Sequence, residues 1–143
     1  LFEKGEWDIK PLFKSILDDF FPRYADVLNN KEFNEDILAI RIEGHTSSEW
    51  TKKTSDKEAY LNNMTLSQFR ASNVLEYTLV TNLNGSFDWV RNRLQAVGFS
   101  SSKLKHDARG YEDKNQSRRV EFKVVTNAQD KLYDLFRLTS QRT

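Results

Sequence analysis

The sequence predicts a domain of mixed helix and strand, α+β or α/β, with helices layered on one sheet. Three observations carry that expectation. Ile37 to His45 reads as a buried strand whose outer part alternates, Ile40 and Ile42 against Arg41 and Glu43. Val120, Phe122 and Val124 alternate with Glu121 and Lys123, a second strand. Between them, Leu66, Ala71, Val74, Leu75 and Leu79 share one face of a helix.

The chain has 143 residues, the size of one domain. Ten Phe, five Tyr and three Trp suffice for a packed core, which excludes a wholly disordered chain. Five Gly and two Pro exclude collagen-like character. Apolar runs as short as Ile37 to Ile40 cannot span a bilayer. With no Cys there is no disulfide framework, thiolate metal site or cysteine nucleophile. The net charge of +1 hides an asymmetry: residues 1–50 hold 6 Lys/Arg against 11 Asp/Glu, and residues 86–125 hold 9 against 5. That basic segment is too sparse to favour nucleic acid. The sequence opens on Leu1 without a signal-type stretch, so the expectation is an excised domain whose anchor or signal lies upstream.

In chain order, Leu1 to Trp7 reads as a strand end and a turn at Gly5. Pro11 suits the first turn of a helix, with Leu12, Ile16, Leu17 and Phe20 as its apolar face. Pro22 should kink or break that helix, and Tyr24, Val27 and Leu28 continue its face. Phe13, Phe20 and Phe21 are expected in the core rather than on a binding platform. Ser47 to Ala59 reads as a loop. Thr65-Leu66-Ser67-Gln68 has the form of a capping box, which starts the next helix there. Asn82 to Gly85 ends it. Phe87 to Val97 reads as a short helix with Gly98 as its C-cap, Ser102 to Tyr111 as a weak strand, and Glu112 to Ser117 as a polar loop. Asp130 to Leu138 reads as a terminal helix bearing Leu132, Leu135 and Phe136.

Three separated segments share an order: Ile42-Glu43-Gly44-His45-Thr46 after a strand, Asn63 to Ala71 opening a helix, and Arg118-Arg119-Val120-Glu121 opening the last strand. Together, with Phe2, Gly5 and Pro11 ahead of them, they resemble the OmpA-like peptidoglycan-binding domain over about Leu1 to Val125. The resemblance implies an α+β fold, a mixed β-sheet with helices packed on one face (a βαβαβ-type two-layer sandwich). It implies domain limits of 1–126, with 127–143 as a C-terminal helical extension. It also implies binding of the peptidoglycan stem peptide, of diaminopimelate type, through an Asp after Gly-His-Thr and an Arg in the helical motif. The Arg position is Arg70; the Asp position is Ser47, and Ser117 stands where the last motif begins with Asn.

Arg70 also stands on its own chemistry. In the second turn of a helix starting near Thr65, its guanidinium would lie beside unsatisfied N–H groups and make a site for a carboxylate. Ser47 carries no charge, which leaves three readings. Glu49 swings in as the missing anion; Ser47 and Ser48 bind a neutral or amidated stem; or the site is degenerate and the domain serves protein interaction or dimerisation. Thr46, Asn63, Leu66 and Arg119 complete the candidate ligand set, with Asn63 alternatively capping the turn before Thr65 and Leu66 alternatively core. His45 is expected to be structural. Catalysis finds no support: only His45 and His106 are available, and no hydrolase, zinc or phosphate-loop motif occurs. The expectation is a non-catalytic periplasmic module. It needs no cofactor or metal, is capable of homodimerising, and anchors a stator-like or outer-membrane-associated parent whose membrane segment lies outside this chain.

Overall fold

The computed structural model describes residues 1–81 and 83–141. Asn82, the first residue of the expected helix stop, and residues 142 and 143 lie outside them. Helix α1 (Pro11–Leu28) precedes a 3-10 turn and strand β1 (Ile37–His45). The long helix α2 (Asp56–Leu79), the short α3 (Phe87–Arg91) and strand β2 (Leu94–Gly98) follow. A single turn, α4 (Lys114–Ser117), leads into β3 (Arg119–Thr126) and α5 (Ala128–Gln141). The sheet order is β2-β1-β3, with β2 parallel and β3 antiparallel to β1. The fold is therefore α+β with a mixed sheet, as expected. No described helix is long and apolar enough to cross a membrane.

The two faces of the sheet follow from the register. Ile40 is level with Leu94 and Val124, and Ile42 with Ala96 and Phe122. This face packs on Phe13, Leu17, Ala71 and Val74 of α1 and α2. A second cluster, Phe21, Ala25, Leu83 and Val90, closes the far end. Phe13 and Phe21 are buried, as their core assignment requires.

Several expectations change. The buried stripe of α1 is Phe13, Leu17, Phe21 and Ala25, whereas Leu12 and Ile16 are 73% and 50% exposed. The stripe is thus one residue out of phase with the expected face. Helix α1 runs unbroken through Pro22; the carbonyl that Pro22 cannot serve belongs to Asp18, an exposed residue, so water can take that bond. Helix α2 begins nine residues before Thr65. Its N-cap is Ser55, whose hydroxyl accepts from the Glu58 N–H at 3.2 Å, with Asp56 and Glu58 at the positive end of the dipole. Residues 87–97 are not one helix: α3 stops at Arg91 and Leu94–Gly98 pairs along β1. A five-residue stretch such as Leu94-Gln95-Ala96-Val97-Gly98 cannot be assigned by periodicity alone, and the Ile40 N–H donating to the Arg93 carbonyl at 2.8 Å draws it into the sheet. Residues 102–111 form turns with one isolated bridge, His106 to Glu112, and residues 114–117 are helical under an Asp113 cap. The opening segment is likewise a single bridge, Phe2 to Ile9, around Gly5 at φ 73°.

Helix α2 meets the sheet at a glycine pair. Gly44 and Gly98 are partners in the register. A Cβ on Gly44 would lie 2.3 Å from the Ser67 carbonyl oxygen, and one on Gly98 2.6 Å from the Gln68 nitrogen. Both obstructions are backbone, so neither yields to a rotamer change. Gly44→Ala is expected to cost roughly 2–4 kcal/mol. Gly85→Ala, at φ 87° but facing open space, should cost about 1–2 kcal/mol. Urea unfolding of both variants checks this; a Gly44→Ala midpoint at or above that of Gly85→Ala would refute the close approach.

Candidate functional site

Beyond the glycine pair, β1 ends at His45 and the chain turns into the loop that leads to α2. The Thr46 N–H donates to the Ser100 carbonyl at 2.9 Å, extending the edge of the sheet. Two turns along α2, Asn63 points back: its Nδ2 donates to the carbonyls of Ser47 and Glu49, each at 3.2 Å. Asn63 therefore clamps this loop, and it does so from inside α2 rather than as a cap before Thr65. The Ser48 N–H and hydroxyl donate to the two carboxylate oxygens of Glu112 at 2.9 and 2.5 Å. The loop is held from both sides.

Arg70 stands mid-helix, so the expected neighbourhood of a helix N-terminus is absent. What surrounds it instead is the opening segment. Its Nε donates to the Glu6 carbonyl at 2.8 Å and its Nη2 to the Glu3 carbonyl at 3.1 Å. Its guanidinium carbon lies 4.8 Å from the centre of the Phe2 ring. Arg70 is 6% exposed. Among the described residues no carboxylate comes within 4.0 Å of it. Burial, and secondarily the charge of Arg118, lower its pKa to about 10, so it stays a cation near neutral pH.

A cavity of about 760 Å³ opens beside it. All seven residues singled out from sequence line this cavity: Thr46, Ser47, Glu49, Asn63, Leu66, Arg70 and Arg119. Glu49 does not swing toward Arg70. Its oxygens lie 3.4 Å from Arg118 Nη1 and 3.7 Å from Lys114 Nζ, on the opposite rim. Arg119 spends its fork inside the fold, donating to Glu121 at 2.6 Å and to the carbonyls of Lys103 and Ser117. Arg118 is the freer of the two. Sequence reasoning missed Trp50, also on the lining, and the carbonyls that orient Arg70. A lone Trp in a polar loop was a signal for the first; nothing local announces the second.

The opposite sheet face carries a charged ladder: Arg41 by Lys123, Glu43 by Glu121, His45 by Arg119. Ligand atoms of Glu43, His45 and Glu121 lie within 4.8 Å of one another. Cations already fill that space: Lys123 Nζ is 3.4 Å from Glu43 and 3.7 Å from Glu121, and Arg119 holds Glu121. The cluster is a closed ion network rather than a metal centre. His45 stacks on Phe99 at 5.0 Å between ring centres, with Nε2 3.4 Å from Glu43 and Nδ1 buried without a partner.

The fold and site define a small α+β domain with a cationic pocket where the central strand hands over to the long helix. The chain belongs to the OmpA family, whose sequence profile matches residues 1–119. It is 52% identical over 130 residues to the Zorya protein ZorB of Escherichia coli, an alignment spanning 90% of this chain and 54% of ZorB. This chain thus spans about half the length of that relative. Its fold resembles the periplasmic domain of Helicobacter pylori MotB (TM-score 0.58, 19% identity, 95% of this chain and 78% of that one). It also resembles the peptidoglycan-associated lipoprotein of Burkholderia pseudomallei (TM-score 0.51, 18% identity, 87% and 86%).

The His45 environment has a measurable consequence. Burial, then the charge of Arg119, hold its pKa below the ordinary 6.5. The unfolded chain therefore takes up this proton first as pH falls, so the stabilisation is complete above 6.5 and declines below it. Thermal melts between pH 7.5 and 5 should show a falling midpoint that His45→Gln flattens. An equally steep fall in His45→Gln would rule out His45 as its source. Glu121 and Asp36, whose pKa values are lowered chiefly by bonds to Arg119 and Lys131, act only at lower pH.

Proposed function

We propose that this domain is a non-catalytic peptidoglycan-binding module of the periplasm. It would tether a larger envelope protein, stator-like or outer-membrane-associated, to the cell wall by holding a stem-peptide carboxylate. The observation that carries the reading is Arg70: a buried cation without a carboxylate neighbour among the described residues, fixed at the wall of a cavity large enough for a peptide group. Its two bonds to carbonyls set the plane of the guanidinium and leave charge uncompensated, which is what a carboxylate requires. Thr46 and Ser47 line the cavity, Asn63 holds their loop, Leu66 and Trp50 supply apolar wall, and Arg118, paired with Glu49, adds a second cation at the rim. Arg119 would support this arrangement from within the fold.

A second reading, a protein-interaction or dimerisation module, draws support from α5. Its Leu132, Leu135 and Phe136 form an apolar stripe, each more than half exposed.

Co-sedimentation with purified diaminopimelate-type sacculi tests the first reading. Arg70→Ala should weaken binding roughly 10- to 100-fold, the worth of a charged hydrogen bond. Because Arg70 also holds the opening segment, Arg70→Lys serves as the control: it keeps the charge, loses the fork and should bind at an intermediate level. Undiminished binding in both variants would discard Arg70 as the recognition group.

A further inference from the structure

The charge balance of the cavity goes further than the presence of one arginine. Arg70, Lys4 and Lys52 line it without an ion-pair partner among the described residues, and its two carboxylates, Glu3 and Glu49, already have cations beside them. Glu3 pairs with Lys10 at 2.9 Å, and Glu49 with Arg118 and Lys114. Ser47, where the resemblance implies an Asp, is neutral and 3% exposed. Each neighbouring carbonyl already accepts a bond: those of Ser47 and Glu49 from Asn63, that of Glu6 from Arg70, and that of Glu3 from both Arg70 and the Glu6 N–H. An ammonium group entering beside Arg70 would lose its water and meet like charge without a free anion. A neutral amide would meet no such penalty. Thr46, also on the lining, brings no charge either, and its hydroxyl is buried without a hydrogen-bond partner among the described residues.

We propose that the pocket selects a stem-peptide carboxylate whose neighbouring amine is acylated, as in a cross-link, over the same group with a free ammonium. The selectivity rests on the peptidoglycan reading above and assigns Ser47 as the residue that determines it. The domain would then sense cross-linked wall rather than uncross-linked stems.

The test uses sacculi before and after acetylation of their free amines with acetic anhydride, with binding isotherms at low salt and at about 0.5 M salt, where screening acts over about 4 Å. Acetylation should tighten binding at least about fivefold at both salt levels, and Ser47→Asp should reverse the order, binding untreated sacculi better. A free-ligand arm compares meso-diaminopimelate with its diacetyl derivative as competitors; the diacetyl form should compete better against the unmodified protein. Equal or weaker binding to acetylated sacculi overturns the selectivity and leaves the wall-binding reading standing. A gain at low salt that vanishes at high salt assigns the effect to bulk charge and also overturns it. Failure to bind either preparation removes both readings.

Discussion

The contact on which the rest of this domain depends is the seat of α2 on Gly44 and Gly98. With no side chain at either position, the backbone of Ser67 and Gln68 comes within about one van der Waals diameter of the sheet. Side-chain bonds then fasten the seat: the Ser100 N–H donates to Ser67 Oγ at 3.0 Å, and the Gly98 N–H to Gln68 Oε1 at 2.8 Å. Asn63, Leu66 and Arg70 radiate from the same stretch of helix, so the depth of this seat decides where they stand relative to the end of β1. Packing and site are one constraint, since a helix displaced by a methyl group would carry the clamp on the loop with it.

A second constraint is electrostatic. A buried arginine is costly unless its charge is answered. Here backbone carbonyls and the Phe2 ring answer only part of it. The outer sheet face shows the contrasting solution in the same molecule: Glu43 is as deeply buried, yet His45 and Lys123 both approach its carboxylate and Arg41 lies 3.9 Å away. One buried charge is balanced within the fold and the other is left facing a cavity. That difference, more than the presence of arginine in a motif, is what sets the Arg70 cavity apart from a structural ion network and makes it the candidate site.

How much of this was legible in the chain differs by element. Strand β1 and strand β3 were readable because long alternation with aliphatic residues has few competing explanations. The start of α2 was misplaced although Ser55-Asp56-Lys57-Glu58 has the same capping form as Thr65 to Gln68; polar residues around it resembled a loop, and no apolar periodicity marked the first turns. Strand β2 read as helix because only its neighbour β1 makes it a strand. The site residues converged through the order of three distant segments. The roles of Asn63 and the carbonyls of Glu3 and Glu6 depend on contacts 14 to 67 residues apart, which no local pattern encodes.

The same contacts explain why Arg70 is not a free surface probe. Its guanidinium joins the opening segment to α2, and Asn73 adds a bond to the Trp7 carbonyl at 2.9 Å while Trp7 stacks on Phe69 at 5.1 Å. The segment that forms one wall of the cavity is thus fastened by α2 at three positions within about one turn, 69, 70 and 73. A ligand carboxylate meeting the remaining face of Arg70 would encounter a side chain whose rotamer is already chosen, so little conformational entropy is lost on contact. Preorganisation of this kind favours selectivity over adaptability. In the proposed complex, a fork fixed in plane and direction would accept a carboxylate from one side only, and would leave the identity of the neighbouring ligand group to the neutral wall formed by Thr46 and Ser47.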